Sequence, residues 1–177
     1  MKKLLIAFVL IFLSPFAQAS ETSLGMSIHF SPEKDPQAWC LAQNIYFESR
    51  GSSFADQVAV ADVVLNRVQD RRYPDTICKV VHQGKYISSW KDPDVLVPAR
   101  NKCQFSWWCD GKSDYPTDRD AWAQAQLIAY NILYAHQYRG ITEGATHYHA
   151  TYVDPRWAKD MQLIGTIGEH IFYRWTK

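Results

Sequence analysis

The sequence predicts an α+β domain, mainly α-helical and compact, with a small β-sheet toward its C-terminal end. Three observations carry this expectation. Apolar residues recur at helical spacing near 35–51, 53–68 and 117–140. Two later stretches, 145–151 and 167–173, read as extended. The 177-residue chain, less an N-terminal leader, is long enough for one domain with a substantial core.

The leader is read at residues 1–19. Lys2 and Lys3 precede an unbroken apolar run, Leu4 to Leu13, and Ala17-Gln18-Ala19 supplies a small-x-small cleavage site. The run is shorter than the ~20 apolar residues that span a bilayer. No Cys follows Ala19 and no later stretch is apolar enough to span, so the mature chain is expected to be exported, periplasmic or extracellular, without a transmembrane or lipid anchor. Basic and acidic residues nearly balance, 19 against 18, which argues against nucleic acid or an anionic membrane as the main partner.

Residues 20–34 carry no clear period and are read as a loose N-terminal segment, leaving 35–177 as the single domain. Asp35-Pro36 then gives an N-cap followed by Pro at the first helical position. Ala38, Leu41, Ala42, Ile45 and Ser49 form a buried stripe, and Gly51 closes the helix. Glu48 shares the face of Leu41 and Ile45, at the margin of the core. Partial desolvation there raises a carboxyl pKa and favours the protonated form that a general acid needs. The plainer reading of Glu48 is a surface carboxylate at a stripe edge, or one paired with Arg50 or Arg67.

Ser53 opens the next helix, with Asp56 three residues on as an imperfect capping box. Val58 to Val68 is apolar nearly all round, as in a helix buried centrally. Asn66 and Arg67 are its polar members; they either cap its C-terminus or find partners on the neighbouring Glu48 helix. A short helix is expected from Pro74 to Val81, ended by Gly84.

Residues 84–117 read as irregular, and a loop of that length in a compact domain is usually functional. Within it, Phe105, Trp107 and Trp108 lie beside Gln104, Ser106 and Asp110. Aromatics with such neighbours suit carbohydrate, through stacking on C–H faces and hydrogen bonds to hydroxyls; equally they fill a core. Cys40, Cys78, Cys103 and Cys109 in an exported chain suggest two disulfides. Cys78–Cys103 with Cys40–Cys109 is slightly favoured, since each would tie the irregular region to a helix, and Cys103–Cys109 is the main rival.

Thr117 with Asp120 opens a long helix with the stripe Trp122, Ala125, Ala129 and Ile132, ended by Gly140. Thr146, Tyr148 and Ala150 alternate with His147, His149 and Thr151, and the tail 167–173 is read as a final strand pairing with them. The sequence admits two chemistries. Glu48 can act as the acid in glycosidic cleavage, or His147, His149 and His170 can hold a metal. The second is the weaker, because strand alternation accounts for H-x-H and no third ligand or general base is signalled locally. Motifs for a serine or cysteine nucleophile are absent.

The run Cys40-Leu41-Ala42, Ile45 to Gly51, Gln57 to Ala61, Val64 to Val68, Tyr73 to Cys78, Cys103 to Ser106, Gly144 to Ala150, Trp157 and Ile167 to Tyr173 resembles the SleB/CwlJ-type cell wall hydrolases over about residues 40–173. The resemblance implies a lysozyme-like helical fold with a small sheet. It also implies cleavage of peptidoglycan between N-acetylmuramic acid and N-acetylglucosamine, chiefly as a lytic transglycosylase, with the family's catalytic Glu at Glu48. Many members carry an acid directly after the motif's Gly; here Ser52 and Ser53 follow.

The reading is therefore an exported, monomeric peptidoglycan glycosidase whose catalytic domain is 35–177. Glu48 acts as acid and then base, and Gln104, Phe105, Ser106, Tyr148 and His149 line the glycan groove. Asn66 and Arg67 support the Glu48 helix, and neither metal nor organic cofactor is required. The alternatives are a metal-dependent peptidoglycan amidase using His147, His149 and His170, and a non-catalytic glycan-binding module.

Overall fold

The computed structural model describes residues 28–176. The leader at 1–19 and much of the loose segment, residues 20–27, lie outside them. Four helices, two short 3-10 turns and five strands follow in chain order. Helix α1 (Pro36–Ser49) starts as expected, with the Asp35 side chain accepting from the Ala38 amide at 3.1 Å. Gly51, at φ +87°, lets the chain turn straight into the next helix.

Helix α2 (Phe54–Gln69) shows why an all-round apolar sequence was needed. Val58, Ala61, Val64 and Leu65 pack into the main core with α1, α3 (Ile77–Val81) and α4 (Arg119–Leu133). Ala59 and Val63 face the other way, against Ala145 and Phe172 under the sheet. The helix lies between two cores, so apolar residues on one face would not suffice. Ser53 caps it through the Asp56 amide. Asp56 does not complete a capping box: fully buried, it accepts from the Glu169 amide at 3.0 Å and pairs with His170 Nδ1 at 2.8 Å. Gly168, at φ +57°, makes this approach possible, because a Cβ there would lie 2.6 Å from Asp56 Cβ.

Strand β3 (His147–Ala150) pairs antiparallel with β5 (His170–Arg174), as the sequence suggested for the tail. The expected final strand is also the second arm of a hairpin whose first arm the sequence did not signal. Strand β4 (Gln162–Ile167) turns through Gly168-Glu169 into β5, which is central in the order β3-β5-β4. Region 84–117 is also more regular than expected. Strands β1 (Gly84–Ser88) and β2 (Leu96–Cys103) form a second hairpin, followed by a 3-10 turn at Ser106–Cys109. All of β1 is exposed and β2 buries only Ala99, so no in–out alternation marks them. Helix α4 is capped by Asp118 rather than Thr117 and stops at Leu133, well short of Gly140. His136, Tyr138 and Gly140 all have positive φ in the segment that follows.

The disulfides correct the favoured pairing. Cys40–Cys78 joins α1 to α3, and Cys103–Cys109, the rival, closes the loop after β2. Cys78 opens α3 directly against α1, where Cys40 projects. The chain-entropy model scales stabilisation with loop length, and the sequence separations are 38 and 6. Replacing Cys40 and Cys78 by Ala should therefore cost about 4 kcal/mol, against about 2 kcal/mol for the Cys103/Cys109 pair. Urea unfolding of the two double variants checks the order, and unreduced peptide mapping checks the pairing.

Candidate active site

Glu48 sits in the last turn of α1, half-buried, on the wall of a cleft of about 350 Å3. The facing wall is β3, and Gln104, Phe105 and Ser106 form a third side. The Tyr148 hydroxyl donates to Glu48 Oε2 at 2.9 Å. Among the described residues nothing bonds to Oε1, which leaves that oxygen for a ligand.

Opposing effects act on the Glu48 carboxyl. Burial raises its pKa, while the Tyr148 hydrogen bond and the charges of His170 and Arg67 lower it; burial wins, and the net shift is upward. Tyr148 itself is pushed well above the ordinary phenol value by burial and by the Glu48 charge, so its hydroxyl stays a donor. Among the described residues Glu48 is the only carboxylate lining the cleft. The other acids near it in sequence are committed elsewhere. Asp56 is held by Glu169 and His170. Asp62, fully buried, accepts from Arg139, the Gly140 amide and both the amide and hydroxyl of Thr142. Asp110 lies on a neighbouring groove.

Asn66 and Arg67 do not hold α1, as was expected, but the segment that leads into β3. Asn66 Nδ2 donates to Thr142 Oγ1 at 3.0 Å and the Ala145 carbonyl at 2.9 Å. Arg67 Nε donates to the Thr146 carbonyl at 2.7 Å, with its guanidinium between the Tyr73 and Phe105 rings. Both therefore fix the height of Tyr148 over Glu48. Arg67 is buried, yet it lines the cleft and its charge reaches Glu48.

All five groove candidates line the cleft, but not as exposed aromatics. Phe105 and Trp107 are buried, and Trp107 Nε1 donates to Asn44 Oδ1 at 3.1 Å. Trp108 stacks on His82. Phe105 thus forms part of both the core and the cleft floor. Three lining residues, Phe47, Ala150 and Tyr152, were not singled out as site candidates from the sequence, and His170 was read there only as a metal-ligand candidate.

The three histidines do not converge. His147 and His149 point to one face of β3, whereas His170, opposite Ala150 on β5, shares the other face with Tyr148 and Phe172. His147 is pushed down to about 4 by burial and by the charges of Arg67 and Arg72. His149 Nε2 is bonded to the Tyr173 hydroxyl at 3.0 Å, and His170 to Asp56.

Residues 51–173 match the Cell Wall Hydrolase family, more than half of the chain, and the protein belongs to that SleB/CwlJ-type family. The fold is similar to the catalytic domain of the germination-specific lytic transglycosylase SleB from Bacillus anthracis. Identity is 27%, with 78% of this chain and 93% of that chain covered and a TM-score of 0.56. The corresponding domain of the Bacillus cereus SleB protein gives 28% identity over 78% and 91% of the two chains, at a TM-score of 0.52. A spore cortex-lytic enzyme of Bacillus cereus is 36% identical over 57 residues, 32% of this chain and 22% of that protein. One from Oceanobacillus iheyensis is 31% identical over 64 residues, 36% and 23% respectively. The chain matches about a quarter of the length of these curated relatives. Among the described residues no helix is long and apolar enough to cross a membrane.

Replacing Tyr148 by Phe removes a hydrogen bond that favours the charged carboxylate. The Glu48 carboxyl should therefore titrate at a higher pH in Tyr148→Phe than in the wild type. Carbon-13 NMR titration of the Glu48 carboxyl measures this directly; an unchanged midpoint would show that Tyr148 does not set the protonation of Glu48.

Proposed function

We propose that the protein is an exported, monomeric, lysozyme-like lytic transglycosylase that cleaves peptidoglycan at the muramic–glucosamine glycosidic bond, with 35–177 as its catalytic domain. The observation that carries the reading is a carboxyl, raised in pKa by burial, on a cleft that holds no second acid among the described residues. A family described as cell wall hydrolases, and similarity to a catalytic domain described as that of a lytic transglycosylase, support it.

A glycosidase that uses water generally needs two carboxylates, one to protonate the leaving oxygen and one to stabilise the sugar cation or activate water. With one, the economical route is intramolecular. Glu48 gives its proton to the glycosidic oxygen as the bond to C1 of the muramic sugar breaks. The resulting carboxylate, held at Oε2 by Tyr148 and within reach of the Arg67 charge, takes the proton from the C6 hydroxyl of the same sugar. That oxygen closes onto C1. No water is consumed, Glu48 ends protonated, and the tethered hydroxyl has a high effective concentration. Gln104, Ser106 and His149 supply polar contacts along the groove, and Phe105 an apolar floor.

Glu48→Gln keeps the shape and the Tyr148 contact but cannot deliver a proton. General acid catalysis is worth about 100- to 10,000-fold, so cleavage of purified sacculi should fall by that factor. Stability should move the other way. Because the folded pKa is raised, the folded state binds the Glu48 proton more tightly than the unfolded chain, and wild-type stability falls as pH rises from the ordinary carboxylate value through the raised one. Glu48→Gln should therefore melt higher than wild type at neutral pH, with the gap closing in acid. A folded variant with wild-type turnover would reject the assignment.

A further inference from the structure

We propose that a second groove, adjoining the Glu48 cleft, binds the carboxylate-bearing substituent of the muramic sugar, with Arg50 as its main contact. The inference rests on the glycosidase reading and extends it to what hangs beside the bond being cut.

The groove, of about 450 Å3, shares Phe47 and Ser106 with the cleft, so the two are continuous. Both of its walls are fixed to α1. Arg50 follows the last residue of α1, and its guanidinium lies 4.9 Å from the Tyr46 ring centroid and 5.9 Å from that of Phe47. The facing loop is tied back by Gln43 Nε2, which donates to the Asp114 carbonyl at 2.9 Å. It is also held by the Tyr46 hydroxyl oxygen, which accepts from the Thr117 and Asp118 amides at 3.2 and 3.0 Å. A site held this way needs little ordering when a ligand arrives.

The groove carries Arg50 and Lys112 beside Asp110 and Asp114, and Arg50 bonds to the Tyr46 hydroxyl rather than to either acid. Lys112 stands 3.8 Å from Asp110. Burial, helped by the Asp110 charge, pushes the Asp114 carboxyl upward, and that carboxylate forms no ion pair among the described residues. No carboxylate among the described residues pairs with Arg50. A guanidinium fixed over aromatic rings presents a planar fork suited to a carboxylate.

Muramic acid differs from glucosamine by a lactyl ether on C3, which ends in a free carboxylate or continues into an acid-bearing peptide. With C1 of that sugar at Glu48, the C3 branch must leave the cleft sideways, and the Arg50 groove offers the space. The shared chemistry is a carboxylate on that branch, from the lactyl group itself or from the peptide.

Binding, measured without cleavage, tests this. Glu48→Gln and the Glu48→Gln/Arg50→Gln double variant are titrated with soluble glycan strands, either peptide-bearing or stripped of peptide by an amidase. The double variant should bind about tenfold more weakly, as expected for loss of a hydrogen bond to a charged group. Loss confined to peptide-bearing strands assigns the peptide carboxylate, and loss confined to stripped strands assigns the lactyl carboxylate. Loss on both shows that the groove takes either. Arg50→Lys, which keeps the charge without the fork, should recover only part of the affinity. Equal affinity of the two proteins for both strands overturns the proposal. Failure of the wild type to cut sacculi would instead remove the glycosidase reading, which this binding measurement does not depend on.

Discussion

The hydrogen bond from Tyr148 to Glu48 is the contact on which the arrangement of the site depends. It joins the end of α1 to β3 across 100 residues of chain. It also sets the state of the acid. Burial favours the protonated carboxyl, and the phenol, itself held un-ionised by burial and by Glu48, favours the carboxylate. The mechanism proposed above needs one side chain to act in both directions, which requires β3 to stand at the right height.

That height is set from α2. Four of its polar residues reach the C-terminal half: Asp56 the β4–β5 turn, Asp62 the 139–142 segment, Asn66 residues 142 and 145, and Arg67 the Thr146 carbonyl. Buried polar groups in an otherwise apolar helix are costly unless bonded, and here their bonds fasten a loop-rich segment to the central helix, with Arg67 Nη1 alone of the four side chains' buried polar atoms left without a partner among the described residues. Gly168 completes the fit, because any side chain there would collide with Asp56.

Features set by neighbours in sequence were legible. Asp35-Pro36, Gly51 and Ser53 mark real helix ends, and the stripe through Leu41 and Ile45 correctly placed Glu48 at the core margin. What escaped was set at long range or lacked a buried face. Asp56 reads locally as a cap, but its partners lie more than a hundred residues away. Tyr148 was placed on the groove without its bond to Glu48, because strand alternation shows which face a residue takes and not what it meets. The β1–β2 hairpin is exposed on nearly all sides and so leaves no periodic trace. The histidines looked like a cluster because two share one face; the third belongs to the opposite face by its register with Ala150.

The central claim is that one carboxyl, acting alone, closes the muramic sugar on itself. Mass spectrometry of the fragments that the wild-type protein releases from purified sacculi tests it most directly. The account predicts 1,6-anhydromuramic ends, lighter by one water than hydrolytic ends. Chiefly reducing muramic ends would contradict it, since hydrolysis generally calls for a second carboxylate and the described residues of this cleft supply none, and fragments cut at the amide instead would contradict the glycosidase reading as a whole.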